Sequence, residues 1–458
     1  MALGRRSQEQ QPSFWIAVDE LPRSEGHVFY RKLNKLLRAA GFDEFVERLC
    51  EPYYHDTMGR PGIPPGVYFR MLLVGYFEGL GSQRGIAWRC ADSLSLREFL
   101  GIPLGDQTPD HSSLTRVRDR LPLAVHQQVF CFVLQVAEQQ GLLKGKTVGV
   151  DATTLEADAA MKSIVRRDTG EDWQEYVQRL MQEAGQIEPG DEPTAEEIAR
   201  FDRQRKDKKV SNREWQSKTD PDSRITKMKD GRTHLAYKAE HVVDLDTELI
   251  LAAEVYHADT ADVDTIGPSI SQAQDNLLQA ESDAQLEEAV ADKGYSKNET
   301  LAELEFTEGL RTYIAEPQHT HRRNWKNKPA EQRQAVTNNR RRTRGKRGRA
   351  LQRARSEKVE RSFAHVCETG GSRRTWLHGI ENVKKRYLTS AMARNLGLVL
   401  RHLFGIGTAR SLQGEGGLAE DLYAALFNTL AALERLLTPT SSTHQQKLTA
   451  KHSLALAA

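Results

Sequence analysis

Three carboxylates in this chain stand where strand and helix signals could bring them together. The run Glu287-Glu-Ala-Val-Ala-Asp292 is apolar up to an acid, and Lys293-Gly294-Tyr295 follows as a turn. Ser296 to Glu299 then has the spacing of a capping box that opens a helix. Lys146-Thr-Val-Gly-Val150 reads as another strand, ending on Asp151 in the same way. The third acid, Glu360, lies in Lys358-Val-Glu-Arg-Ser-Phe-Ala-His365, where Val359 and Phe363 would anchor a helix against a sheet. Glu357, one helical turn earlier, competes with it. Such a set suits phosphodiester chemistry, in which a nucleophilic oxygen is activated and a leaving oxyanion stabilised; two divalent ions about 3.5–4 Å apart do both. Mg²⁺ (or Mn²⁺) takes hard oxygen ligands and keeps several waters, so a few Asp and Glu side chains from different elements suffice. Taken singly, an Asp at a strand end is commonly a turn or cap residue. The order of the three acids carries the reading.

The elements that must position these acids form a helical first part and an α/β second part. Residues 1–26 read as disordered, and 27–145 as an all-α domain that starts with the helical spacing of Phe29-Tyr-Arg-Lys-Leu-Asn-Lys-Leu-Leu37. Pro64-Pro65 precede an apolar helix over Tyr68 to Phe77, and Trp88 and Leu94 to Leu100 continue the pattern. Thr108-Pro109 reads as an N-cap and first helical residue, and Val125, Val129, Phe132 and Val136 mark the last helix of this part. Residues 146–404 are expected to form a mixed sheet flanked by helices, interrupted by a charged helical hairpin at about 160–218. His234 to Val243 and Glu248 to Tyr256 pair as a hairpin through Asp244-Leu-Asp-Thr247, with a helix over Thr260 to Ala280, a short one over Thr300 to Leu304 and a fifth strand over Arg311 to Ala315. A basic segment at about 318–356 leads into the helix of Glu360. A long helix follows over Asn382 to Phe404, with Leu396, Val399, Leu400 and Leu403 on its apolar side. Residues 405–458 read as a linker, a helix to about Leu437 and a loose tail.

Composition narrows the class. A chain of 458 residues is long enough for two or three domains, and 38% hydrophobic against 28% charged residues, with no run near the ~20 apolar residues of a membrane span, argues against a membrane protein. Met1 to Gln11 is polar and carries no secretory pattern, so a cytoplasmic location is expected. Cys50, Cys90, Cys131 and Cys367 are isolated and read as buried thiols rather than zinc ligands or disulfides. A net charge of +2 conceals segregation: from Arg322 to Arg361, 16 Lys or Arg face 3 Glu. That density suits phosphate contact through Arg340, Arg341, Arg342, Arg344, Lys346, Arg347 and Arg349, against the bland alternative of a solvated loop. Arg116 and Arg118 follow the hydroxyls of Ser112, Ser113 and Thr115 on one helix; they could track phosphates, and a solvated face explains them equally well. Arg205 to Lys209 reads as a solvated turn. Trp215, Trp325 and Trp376 read as packing residues before base-stacking ones, and His257, near Asp259 and Asp262, as a loop histidine before one that lines the active cleft.

On Val148-Gly-Val-Asp151-Ala-Thr-Thr154, Ala291-Asp-Lys-Gly-Tyr295, Val359-Glu-Arg-Ser-Phe363 and Ala391-Met-Ala-Arg-Asn-Leu396, the chain resembles the bacterial insertion-sequence transposases of the DDE type. The resemblance covers roughly residues 25–405. It implies a ribonuclease-H-like catalytic domain at 146–404 behind a helical domain that binds DNA ends. Asp151, Asp292 and Glu360 would hold two divalent ions for strand cleavage and transfer, with Tyr295 and Arg361 in support. Related enzymes often show Tyr-x₂-Arg-x₃-Glu-x₆-Lys around the last acid; the corresponding positions here hold Arg353, Ser356 and Cys367, and Arg355 and Lys358 are the substitutes. The implied partner is double-stranded DNA, both element ends and target, met by a homodimer or higher multimer associated with the nucleoid. Two rivals are a non-catalytic DNA-binding or regulatory derivative and a metal-dependent nuclease that does not join ends.

Overall fold

The computed structural model describes residues 25–55, 62–206, 210–228, 231–318 and 323–409. The expected N-terminal segment before residue 25, the helix to Leu437 and part of the Arg205 to Lys209 turn lie outside the described residues. Seven helices come first: α1 (Glu25–Ala39), α2 (Phe42–Cys50), α3 (Pro65–Phe77), α4 (Gln83–Asp92), α5 (Leu94–Leu100), α6 (His111–Arg120) and α7 (Leu123–Gln139). Pro65 opens α3 at its first position, where no intrahelical N–H is needed. The start of α6 differs from expectation. Asp110, not Thr108, is its N-cap, because the carboxylate accepts both the Ser113 N–H and the Ser112 hydroxyl at 2.8 Å.

The second part contains β1 (Thr147–Glu156), β2 (Ile164–Arg166), α8 (Trp173–Glu183), α9 (Ala195–Gln204), β3 (Trp215–Ser217), β4 (Arg224–Lys227), β5 (Thr233–Asp244) and β6 (Ile250–His257). It continues with α10 (Asp262–Gln279), β7 (Glu288–Ala291), α11 (Asn298–Ala302), β8 (Arg311–Ile314), α12 (Ala330–Arg344), α13 (Lys346–Phe363) and α14 (Ile380–Phe404). Six strands form one mixed sheet in the order β4-β5-β1-β7-β8, with β6 beside β5 on the β4 side. β1 runs antiparallel to β5 from Val148↔Asp244 to Glu156↔Ala236 and parallel to β7 from Thr147↔Glu288 to Gly149↔Val290; β8 is parallel to β7. Because β5 is long enough to pair with β1 as far as Glu156, Asp151 lies in mid-strand rather than at a strand end.

Three further expectations change. The 160–218 insertion is a helical pair, with the capping box at Thr194 and Glu197 formed, but it also carries a two-stranded sheet, β2-β3. The basic segment, expected only to lead into the helix of Glu360, is itself helical from Ala330: α12 and α13 are broken at Gly345, and α13 carries Glu360. Ser296 and Glu299 make no capping box. Asp292 instead caps a single 3-10 turn over Lys293–Tyr295, and α11 begins without a side-chain cap.

Helices cover both faces of the sheet. α13 crosses β7, β1 and β5 on one face, where Val359 and Phe363 are buried, and α10 packs on the other. The outer strands β6 and β8 are each closed by a buried asparagine that bonds as a neighbouring strand would. Asn395 of α14 accepts the Ile250 N–H at 2.9 Å and donates to its carbonyl at 2.8 Å, and Asn339 of α12 does the same for Ile314 at 2.9 and 2.8 Å. Every residue of α14 from Tyr387 to Gly397 is buried, so the helix has no solvent face there. It lies between β6 and the helices α7 and α3, and one apolar core runs unbroken from Phe29 to Ala409 through both parts.

Candidate active site

Continuing the parallel register of β1 and β7 two residues past Gly149↔Val290 sets Asp151 beside Asp292. The two acids therefore come from sequence positions far apart and meet through strand pairing alone. Asp151 faces α13: its Oδ1 accepts the Ala152 N–H at 2.8 Å and its Oδ2 accepts Arg355 Nη1 at 2.7 Å. Burial pushes the Asp151 carboxyl above its ordinary range; Arg355 and the Ala152 N–H oppose that, and the nearby charge of Asp292 adds to it.

Asp292 is held by its own turn. Its Oδ1 accepts the Gly294 N–H at 2.8 Å, and a Cβ at position 294 would lie 2.6 Å from Asp262 Oδ2 and 3.1 Å from Asp292 Oδ1, so only glycine leaves this turn undisturbed. Tyr295 then dives to the α10 side of the sheet. Its hydroxyl donates to Glu240 Oε2 at 2.8 Å, the same oxygen that accepts Thr265 Oγ1 at 2.7 Å. Lys238 Nζ donates to Thr265 Oγ1 at 2.9 Å and pairs with Asp262 Oδ1 at 2.6 Å. Burial raises the carboxyl of Glu240 and holds the Tyr295 phenol well above its ordinary value. Sequence reasoning passed over Lys238, Glu240 and Thr265. A signal was present: Lys238 and Glu240 alternate on one face of the stretch Ala236 to Val243, which is apolar apart from these two and His241, and charges are expected there only for a purpose.

Glu360 is exposed on α13 and makes no hydrogen bond or ion pair to either Asp. Among the described residues, no three His, Cys, Asp or Glu side chains come together as a metal-holding group. Helical spacing puts Glu360 on one flank of α13 with Arg349, Arg353 and Ser356. The opposite flank carries Lys358, which donates to the Leu245 carbonyl, and Arg361, which pairs with Glu248; both contacts are on the β5-β6 turn. That turn lies at the edge where β1 begins, so the Glu360 flank faces the edge where Asp292 sits. Glu357 is exposed and pairs with Arg361 on the far flank.

The basic residues divide. Arg340 pairs with Glu316 at 3.0 Å, Arg342 with Glu305, and Arg347 with Glu288 at 2.5 Å. Glu288 is the first residue of β7, so the α12-α13 turn, with exposed Arg341, Arg344, Lys346 and Arg349, borders the entry end of that strand while Asp292 follows its exit. On α6, Arg116 is exposed and donates to Ser113 Oγ at 3.0 Å, whereas Arg118 is mostly covered and pairs with Asp119 at 3.2 Å. Trp215 is buried against Tyr176, Trp376 carries Arg386 over its ring at 3.4 Å, and His257 Nδ1 meets the Asp222 carbonyl at 2.8 Å. All four cysteines are free and buried.

Two family models match this chain. "Transposase domain (DUF772)" matches residues 18–120, and "Transposase DDE domain" matches residues 189–396. No curated protein and no solved structure matches it. Among the described residues, no helix is long and apolar enough to cross a membrane.

Proposed function

Since the chain belongs to the DDE-type transposases of insertion sequences, we propose that it binds the terminal inverted repeats of its element and catalyses metal-dependent strand cleavage and transfer. The observation that carries this reading is the register that sets Asp151 beside Asp292. A sheet whose antiparallel trio β6, β5 and β1 continues into parallel β7 and β8, with helices on both faces, supports the ribonuclease-H-like reading of residues 146–404. The helical domain at 27–145 would grip the ends, with Arg116 and Arg118 among its contacts.

The donor set fits a divalent cation: two adjacent carboxylates offer hard oxygens, and Mg²⁺ is commonly held by one or two carboxylates with waters completing its shell. Asp151 and Asp292 would hold it, and Glu360 would join them from the flank of α13. When bound, such ions activate the attacking oxygen and stabilise the leaving one. The protein's own part is positional. β1 and β7 fix the two Asp side chains by backbone pairing, the Gly294 N–H orients Asp292, and Tyr295 with Glu240 pins the turn from behind. Arg349 and Arg353, on the Glu360 flank, and the exposed Arg341, Arg344 and Lys346 would hold phosphates along the strand approaching the acids. Bringing two ends together requires at least a dimer on DNA.

The test is a two-plasmid mobility assay with the flanking DNA ends, comparing wild type with Asp292→Asn. The variant should bind ends normally while mobilisation falls by roughly 10²-fold or more, since losing a partner behind a metal ligand already costs about 10–100-fold. Equal binding with no movement by either protein would sink the enzyme reading and favour a DNA-binding derivative. Metal-dependent cutting without joining would favour a nuclease.

A further inference from the structure

Both oxygens of Asp151 are engaged, one by a backbone N–H and one by Arg355. The arginine reaches the acid from α13 across Gly149. A Cβ there would lie 3.1 Å from Arg355 Cγ and 2.8 Å from Val359 Cγ2, so the bare backbone at 149 is what lets the arginine stem cross β1. The Arg355 side chain is only 10% exposed. Its Nε is buried without a hydrogen-bond partner, and its Nη2 reaches only Ser356 Oγ, at 3.3 Å. Its burial therefore depends on a single charged contact, the one with Asp151. A guanidinium this thinly satisfied is poised to leave once Asp151 finds another cation.

We propose that Arg355 is the resident counter-ion of Asp151 and surrenders that carboxylate to a divalent ion. This rests on the reading of Asp151 as a metal ligand. A guanidinium 2.7 Å from Oδ2 covers the lone pair an inner-sphere cation needs, and two cations on one carboxylate repel. With the ion in place, Arg355 turns outward past Ser356, toward the flank that carries Arg349, Arg353 and Glu360, and becomes a free fork for a phosphodiester. Metal entry and phosphate capture are thereby linked through one side chain, and DNA, by accepting the released guanidinium, raises the affinity for metal.

The experiment is a Mn²⁺ titration of the full chain without DNA, read by loss of the free-ion EPR signal, for wild type, Arg355→Gln, Asp151→Asn and the double variant. Arg355→Gln should bind Mn²⁺ about tenfold more tightly than wild type, and adding Asp151→Asn should remove that gain. A second readout needs no substitution: saturating Mg²⁺ should raise phenylglyoxal modification of Arg355 in the wild-type protein severalfold, measured by peptide mass spectrometry. If Asp151→Asn abolishes Mn²⁺ binding but Arg355→Gln binds no better than wild type, or if Mg²⁺ leaves the modification unchanged, the counter-ion role is wrong and the metal reading stands. If Asp151→Asn leaves Mn²⁺ binding intact, the metal reading falls and takes this proposal with it.

Discussion

Tyr295 ties the turn after β7 to a carboxylate 55 residues away, and the charge on that carboxylate depends on pH. Burial holds the Glu240 carboxyl above its ordinary range, so the fold favours its protonated form. The sign follows: the stability this gives is fully present below the unfolded pKa of a Glu and is lost as pH rises through the raised folded value. The Tyr295 hydroxyl, donating to the ionised oxygen, offsets part of that loss. Tyr295→Phe should therefore cost little in acid and about 1–3 kcal/mol once Glu240 is ionised. Urea melts of wild type and variant at several pH values would show the gap widening upward; a gap that stays constant would mean Glu240 does not titrate there. At this scale the sequence was readable where a residue's role is local. The turn of Lys293 to Tyr295 could be seen, but not the partner Glu240, nor Arg355 against Asp151 across 204 residues, because such contacts arise from packing and leave no spacing to read.

Sheet edges show how elements hold the acids in register. β8 lies outside β7, which carries Asp292, and its free side is completed by Asn339. Asn339 is fully buried, so Asn339→Ala leaves an N–H and a carbonyl of Ile314 without partners, at about 1–3 kcal/mol for each orphaned group. The expected result is a lower urea midpoint with an unchanged slope, and no change if water replaces the amide. The hairpin of β5 and β6, the helix α10 and the fifth strand of the sheet could be placed from alternation and turn residues within a few positions. The end of β1 could not, because it is set by the length of β5 rather than by anything at residues 151 to 156. The basic stretch hid its helices for a related reason: charge density speaks of phosphate contact and not of backbone, whereas Ala335, Val336, Val359 and Phe363 give α12 and α13 enough buried contact to fold against the sheet.

α14 decides how the whole molecule behaves. Its sequence carries an apolar stripe, which suggests one buried side, yet Tyr387 to Gly397 is enclosed on all sides because the sheet takes one face and α7 and α3 take the other. The helical first part is thus a wall of the same core that supports Asp151 and Asp292, whereas α8 and α9 are different. Their small cluster of Val177, Met181 and Ile198 stands apart from the main core and is bounded by β2 and β3. Two deletions of opposite consequence follow. A chain beginning at residue 146 strips α7 from α14 and α10, exposing Leu388, Met392 and Leu396 among others, and should lose its cooperative melt and bind ANS. Replacing residues 168–213 by a short Gly-Ser linker removes the satellite core and, of the main one, only the rim contacts of Trp173 and Tyr176, and should leave one cooperative transition. Circular dichroism melts with ANS fluorescence decide it. If the chain from 146 onward melts as sharply as the full protein, the shared core is not what holds α14, and the acids are supported by the sheet and its own helices alone.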